Sequence, residues 1–184
     1  YALDASSGET LWRFQAGSVV DSPPTLWRGT AIFGCRDGWV YCLDAGTGQL
    51  AWRYQVAPGD KRIISYEQVE SAWPVSGSVL VHNDVAYCLA GRNMFLDGGL
   101  RLVLLDPATG RLISETTMDE TDPRTGKNLQ TLIQQKYMPV ANADLLSADG
   151  PFLYMQAQAF DLDGNRLGIG PEERAAHGGR HVFC

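Results

Sequence analysis

Tyr41-Cys-Leu-Asp44-Ala-Gly-Thr47-Gly48-Gln-Leu-Ala-Trp52-Arg-Tyr54 decides the fold, because the chain has already written it once. The earlier copy is Tyr1-Ala-Leu-Asp4-Ala-Ser-Ser-Gly8-Glu-Thr-Leu-Trp12-Arg-Phe14, set back by 40 residues. Tyr, Leu, Asp, Ala, Gly, Trp and Arg hold their places in both. A looser third copy, Val103-Leu-Leu-Asp106-Pro-Ala-Thr109-Gly110-Arg-Leu-Ile-Ser114, follows after 62 residues. A degenerate fourth, Ala159-Phe-Asp161-Leu-Asp163-Gly164-Asn-Arg-Leu167, has a shortened turn. Each part of the unit has a physical task. The apolar residues before the Asp favour a strand, and the Asp carboxylate accepts hydrogen bonds from the turn that follows. Gly48 supplies the left-handed conformation that closes a bulged hairpin, and Leu50 to Tyr54 return as the partner strand.

Working outward, Ala31 to Cys35 and Trp39 to Leu43 flank Arg36-Asp37-Gly38, a strong hairpin signal. Asp21-Ser-Pro-Pro-Thr-Leu26 reads as an innermost strand broken at its start by proline. One period therefore predicts four antiparallel strands, at about 22–27, 30–35, 39–44 and 50–56. Such a unit repeating at about 40 residues is the signature of a β-propeller blade. One sheet cannot bury both of its faces, whereas stacked sheets can, and Trp12 and Trp52 are placed to wedge between neighbours. The expected fold is all-β, a partial β-propeller of four-stranded antiparallel blades. At this period, 184 residues make an arc rather than a closed ring of six to eight blades.

The pattern Ala-x-Asp-x-x-Thr-Gly-x-x-x-Trp resembles the blade motif of pyrroloquinoline-quinone (PQQ)-like repeat propellers. That family includes quinoprotein alcohol dehydrogenases and the scaffold of the outer-membrane assembly machinery. Copy one carries Ser7 for Thr, copy two carries Cys42 for the first Ala, and copy three carries Ser114 for Trp. Ser22-Pro23 and Asp37-Gly38-Trp39-Val40-Tyr41 are similar to the family as well. The resemblance is clear over 1–56, traceable to about 117, and fades beyond. It implies structural, blade-docking roles for Asp4, Gly8, Trp12, Asp44, Thr47, Gly48, Trp52, Asp106, Thr109 and Gly110. It also implies an exported bacterial protein, periplasmic or extracellular.

Composition narrows the function classes. A hydrophobic fraction of 45% and a charged fraction of 20% suit a folded core, and twenty Gly with nine Pro suit a turn-rich β protein. The net charge of −6 argues against a nucleic-acid partner. No apolar run reaches the roughly 18 residues that span a bilayer. Cys35, Cys42, Cys88 and Cys184 fit neither a zinc motif nor a small disulfide framework, and the first three lie in β-like runs as small buried hydrophobes. The chain begins and stops in mid-pattern, so it is expected to be a fragment whose remaining blades lie in a parent chain.

The expected organisation is a blade end at 1–16, a blade at 18–56, an inserted loop at 57–74, and a blade at 75–118 with a hairpin insertion at 91–99. A linker at 119–137 and a degenerate blade at 138–184 follow. Asp122-Pro123 and Thr125-Gly126 are turn signals in the linker, and Leu129 to Gln135 suits a short helical turn. Long loops on a rigid scaffold are where binding resides. Arg92, Asn93 and Asp97 are therefore the candidate ligand-facing residues. The competing account is that Met94, Phe95 and Leu96 fold back as a cap while Arg92 and Asp97 pair structurally.

Chemistry-bearing motifs are sparse. Asp161, Asp163, Asn165 and Glu172 fall at calcium-loop spacing, but Arg166 stands where a Gly is needed, so a hairpin is the simpler expectation. His177-Gly-Gly-Arg-His181 lacks a third ligand, and Gly168-Ile-Gly170 lacks the third glycine of a dinucleotide loop. Nucleophile-elbow, phosphate-loop and His-Glu-x-x-His motifs are missing. The expected role is a binding or scaffolding surface with no catalysis by this segment, a protein or carbohydrate partner, and no cofactor. Two alternatives stand beside it: a fragment of a PQQ-dependent dehydrogenase, into which alone PQQ and calcium would enter, and the ectodomain of a sensor or polysaccharide-associated protein.

Overall fold

Strand follows strand through tight antiparallel turns in the computed structural model, which describes residues 1–130, 142–156 and 158–167. β1 (Ala2–Leu3) and β2 (Thr10–Trp12) form a two-stranded unit. β3 (Thr25–Trp27), β4 (Thr30–Gly34), β5 (Trp39–Asp44) and β6 (Leu50–Gln55) pair in sequence order as a four-stranded sheet. β3 begins after Pro23 and Pro24, later than the sequence suggested, because neither proline has an N–H for the ladder. β7 (Arg62–Ser65) pairs with β8 (Gln68–Ser71). β9 (Leu80–His82), β10 (Val85–Ala90), β11 (Leu100–Leu105) and β12 (Leu112–Met118) make a second four-stranded meander. β13 (Leu146–Asp149), β14 (Phe152–Met155) and β15 (Gln158–Asp161) make the last sheet, three-stranded among the described residues, and an isolated bridge pairs Phe160 with Arg166. This is the architecture of a partial propeller.

The segment expected as a plain loop at 57–74 is instead largely the β7–β8 ribbon. Tyr66 and Glu67 form its two-residue turn with φ of 47° and 64°, a geometry whose twist matches the flanking strands. Lacking the usual Asn-Gly or Asp-Gly pair, that turn gave no signal in the sequence.

Alternation along the strands sends their side chains to opposite faces, and three cores result. Phe33, Cys35, Tyr41 and Leu43 face Trp12, Phe14 and Ala16 of the first unit. Ile32, Val40 and Cys42 point the other way, onto Ala86, Cys88, Ala90, Val103 and Leu105. Tyr87, Leu89, Leu100, Leu102 and Leu104 meet Leu153, Met155 and Phe160 of the last sheet. Inner strands covered on both faces explain why Val85–Ala90 and Leu100–Leu105 are nearly continuous apolar runs.

Candidate functional site

The repeated turns come first, because they set where everything else sits. In the second copy the amides of Gly46 and Thr47 and the Thr47 hydroxyl all donate to Asp44 Oδ1, at 3.1, 2.8 and 2.8 Å. The Thr47 hydroxyl bond and then the backbone amides hold the Asp44 carboxyl below its ordinary range. Asp4 is held down to about 2 by the Ser6 hydroxyl and the amides of Ser7 and Ser6. Asp106 is held low chiefly by the Ala108 amide. Each turn closes on a left-handed glycine, with φ of 73°, 72° and 70° at Gly8, Gly48 and Gly110. A bulge falls at the same place in each, one residue before the Asp.

Two of these turns are seats for a tryptophan of the preceding sheet. The Trp12 indole N–H donates to the Ala45 carbonyl at 3.0 Å, and a Cβ on Gly48 would lie 2.5 Å from its ring. The Trp52 indole N–H donates to the Pro107 carbonyl at 3.0 Å, with Gly110 against its ring in the same way. Only glycine leaves room for the indole. The third contact is built differently, since Ser114 stands in the Trp position. Its hydroxyl donates to the Asp163 carbonyl at 3.2 Å, while Leu104 and Leu102 fill the space against Gly164. The carbonyls that accept the two indoles, each one residue past its Asp, carried no sequence signal.

The hairpin insertion and the ribbon meet. Arg92 and Lys61 both pair with the Asp97 carboxylate, Lys61 Nζ at 2.7 Å, and those two bonds hold that carboxyl low. The Trp73 indole N–H donates to the Asp97 carbonyl at 2.8 Å. Met94 is buried in the core between the last two sheets. Asn93 donates to Asn142 at 2.8 Å and accepts from the Phe95 amide at 2.8 Å. Arg92 and Asp97 thus tie the insertion to the ribbon, and Asn93 ties it to the last sheet's approach. A cavity of about 320 Å³ lined by Pro58, Trp73, Asp97, Arg101 and Glu115 lies beside this clamp. The ribbon exposes Ile64, Tyr66 and Val69, at 80%, 91% and 56%. Ile64 and Val69 are register partners, so they share one face.

Asp37, read in the sequence only as half of a turn, is a buried junction. It accepts from the Tyr41 hydroxyl at 2.5 Å, the Trp39 amide at 3.0 Å and the Gly17 amide at 3.1 Å, which locks the first unit to the second sheet. Cys35, Cys42 and Cys88 are free and buried, and burial pushes Cys35 up to about 12 and the others upward, so these thiols are inert. Among the described residues no group of three or more His, Cys, Asp or Glu could hold a metal ion. Asp161 spends its carboxylate on the Asp163 and Asn165 amides and the Asn165 side chain. Glu172, His177, His181, Cys184, Gly168 and Gly170 lie outside the described residues, as do 131–135 of the expected helical turn.

A family model described as outer membrane protein assembly factor BamB matches residues 1–159. No curated protein matches the chain in sequence. Among solved structures, BamB from Moraxella catarrhalis is similar with a TM-score of 0.57 and 20% identity, over 90% of this chain and 44% of that one. A quinohemoprotein alcohol dehydrogenase from Pseudomonas putida gives 0.65 and 19%, over 91% of this chain and 30% of that one. Another from Comamonas testosteroni gives 0.63 and 16%, over 90% and 31%. At such identities the likeness is one of fold. The chain spans less than half the length of each of these structures. Among the described residues no helix is long and apolar enough to cross a membrane.

Proposed function

This chain belongs to the PQQ-like repeat family of the outer membrane protein assembly factor BamB, and on that premise we propose that it is a binding and scaffolding segment for a protein partner. The observation that carries this is the clamp of Lys61 and Arg92 on Asp97, which fixes the ribbon while Ile64, Tyr66 and Val69 stay in water. An apolar face held out by ion pairs and rimmed by polar residues is the usual form of an interaction surface. The outer edge of β7 has no strand partner among the described residues, so a partner strand has hydrogen-bonding groups to pair with. Arg92, Asn93 and Asp97 position that surface. A periplasmic or extracellular setting agrees with the outer-membrane description of the family model.

PQQ and calcium belong to the competing proposal of a dehydrogenase fragment. The described residues do not fit them: no metal-holding acidic group is assembled, and the described cysteines are buried apart, Cys42 on β5, Cys88 on β10 and Cys35 just past the end of β4. The test is a photo-cross-linking residue at Tyr66 in the host bacterium. The proposal expects one discrete protein adduct, lost on Asp97→Ala together with Ile64→Asp. No adduct, or micromolar binding of PQQ with calcium by the purified chain, would overturn it.

A further inference from the structure

The connection between the second four-stranded sheet and the last sheet contains a turn of the same kind that the blade repeat does not account for. Asp122-Pro123-Arg124-Thr125-Gly126 repeats the letters of Asp106-Pro107-Ala108-Thr109-Gly110 at four of five positions. Its bonding repeats them as well. Asp122 Oδ1 accepts from the Arg124 and Thr125 amides at 2.8 and 3.0 Å. The Gly126 amide returns to the Asp122 carbonyl at 2.9 Å, and Gly126 has a φ of 66°. Burial pushes the Asp122 carboxyl up, but the two amides and the Arg124 charge outweigh it and leave the group low. The turn is therefore assembled like the one that seats Trp52.

What differs is occupancy. At Gly48 and Gly110 an indole lies where a Cβ would go, whereas at Gly126, as at Gly8 of the first copy, no described atom comes within 4 Å. Residues 123–128 are exposed. Stacking does not need this turn, because the contact between these two sheets already uses the Asp161–Gly164 turn, met by Ser114, Leu102 and Leu104. Nor is a tryptophan of this sequence left over to fill it. Trp12 and Trp52 are seated, Trp27 donates to Asp84, Trp73 donates to Asp97, and Trp39 lies under Arg53. Beside the turn, Pro123 and Arg166 line a cavity of about 340 Å³ together with Thr116, Thr117 and Asp119. Arg166 is only 9% exposed, and its Nη2 has no hydrogen-bond partner among the described residues.

We propose that the Asp122–Gly126 turn is a docking seat for a tryptophan side chain carried by a partner protein. The indole ring would lie on Gly126, with its N–H donated to the Pro123 carbonyl. The two occupied seats in this same molecule define that chemistry. The seat is separate from the ribbon face and stands whether or not the ribbon binds.

The probe is N-acetyl-tryptophanamide, titrated to about 20 mM into the 15N-labelled chain, with N-acetyl-leucinamide as the control. A single side chain with little else to hold it binds in the millimolar range. The expected result is saturable amide shifts at 122–128, beside those of the equally open Gly8 turn, and an intermolecular NOE from the indole ring to Gly126 Hα. Asn tolerates the left-handed conformation but fills the seat, so Gly126→Asn weakens binding at least tenfold, whereas Gly8→Asn leaves it unchanged. The NOE is read on the unsubstituted chain, so the outcome does not depend on a variant folding. Absence of saturable shifts at 122–128, equal shifts there with the leucine amide, indole NOEs that do not reach Gly126 Hα, or unchanged binding at 122–128 in Gly126→Asn would overturn the proposal.

Discussion

Alanine at Gly110 and at Gly8 makes the same chemical change in the same kind of turn, with different surroundings. Both glycines sit at φ near +70°, so a methyl group costs about 1 kcal/mol of backbone strain at either. At Gly8 no described atom lies within 4 Å of the new Cβ, and the cost ends there. At Gly110 the Cβ would stand 2.6 Å from the Trp52 ring, so the indole must retreat by about 1 Å to reach ordinary contact. That retreat breaks the 3.0 Å bond to Pro107, worth about 1 kcal/mol, and forces an overpacked core worth a further 1–3 kcal/mol, roughly. Gly110→Ala should therefore destabilise by about 3–5 kcal/mol and Gly8→Ala by about 1 kcal/mol or less. Urea unfolding followed by tryptophan fluorescence, with the m-value checked for constancy, measures both. Costs equal within about 0.5 kcal/mol would refute the seat, because the backbone term alone would then explain them.

Three further outcomes follow from the same contacts. Asp97→Ala frees Lys61 and Arg92 together, so amide exchange across residues 61–71 should quicken at least tenfold (about 1.4 kcal/mol of local stability); exchange unchanged from the parent would deny the clamp. Folded-state pKa values of Asp4, Asp44, Asp106 and Asp97 lie below the unfolded value of about 3.9, so their stabilisation is present above pH 4 and is lost as pH falls through each lowered value, about 2 in the case of Asp4. An acid titration by near-ultraviolet circular dichroism should be flat from pH 7 to 5 and fall below about 4; a main loss above pH 5 would contradict that origin. Restoring the repeat residue by Ser114→Trp should destabilise by about 1–3 kcal/mol, because Leu104 and Leu102 already occupy the Gly164 seat; a stabilised variant would show that the seat is open.

Repeat logic made the sheets legible in the sequence. The Asp, Gly and Trp positions act locally, each through its own turn, and a local rule survives without knowledge of the rest of the chain. Trp12 and Trp52 donate to the carbonyls of Ala45 and Pro107, which have no distinguishing side chain to notice in the sequence. The β7–β8 ribbon was hidden because its turn uses Tyr66 and Glu67 at positive φ, which residue preferences disfavour and the pairing around them enforces. The insertion at 91–99 was visible as extra length. Its partners were not, since Lys61 and Trp73 lie 36 and 24 residues away in sequence and only the fold brings them to Asp97. Asp122-Pro-Arg-Thr-Gly126 was legible as turn signals, and its kinship with the tryptophan seats emerged from matching hydrogen bonds.

Seated tryptophans underlie both the stacked scaffold and the open turn at Gly126, and aromatic ring currents read them directly. The Hα resonances of Gly48 and Gly110 should be shifted strongly upfield by the indoles against them, while those of Gly8 and Gly126 stay at ordinary glycine positions. Four alike resonances, or upfield shifts at Gly8 and Gly126 with none at Gly48 and Gly110, would contradict stacking through tryptophan seats.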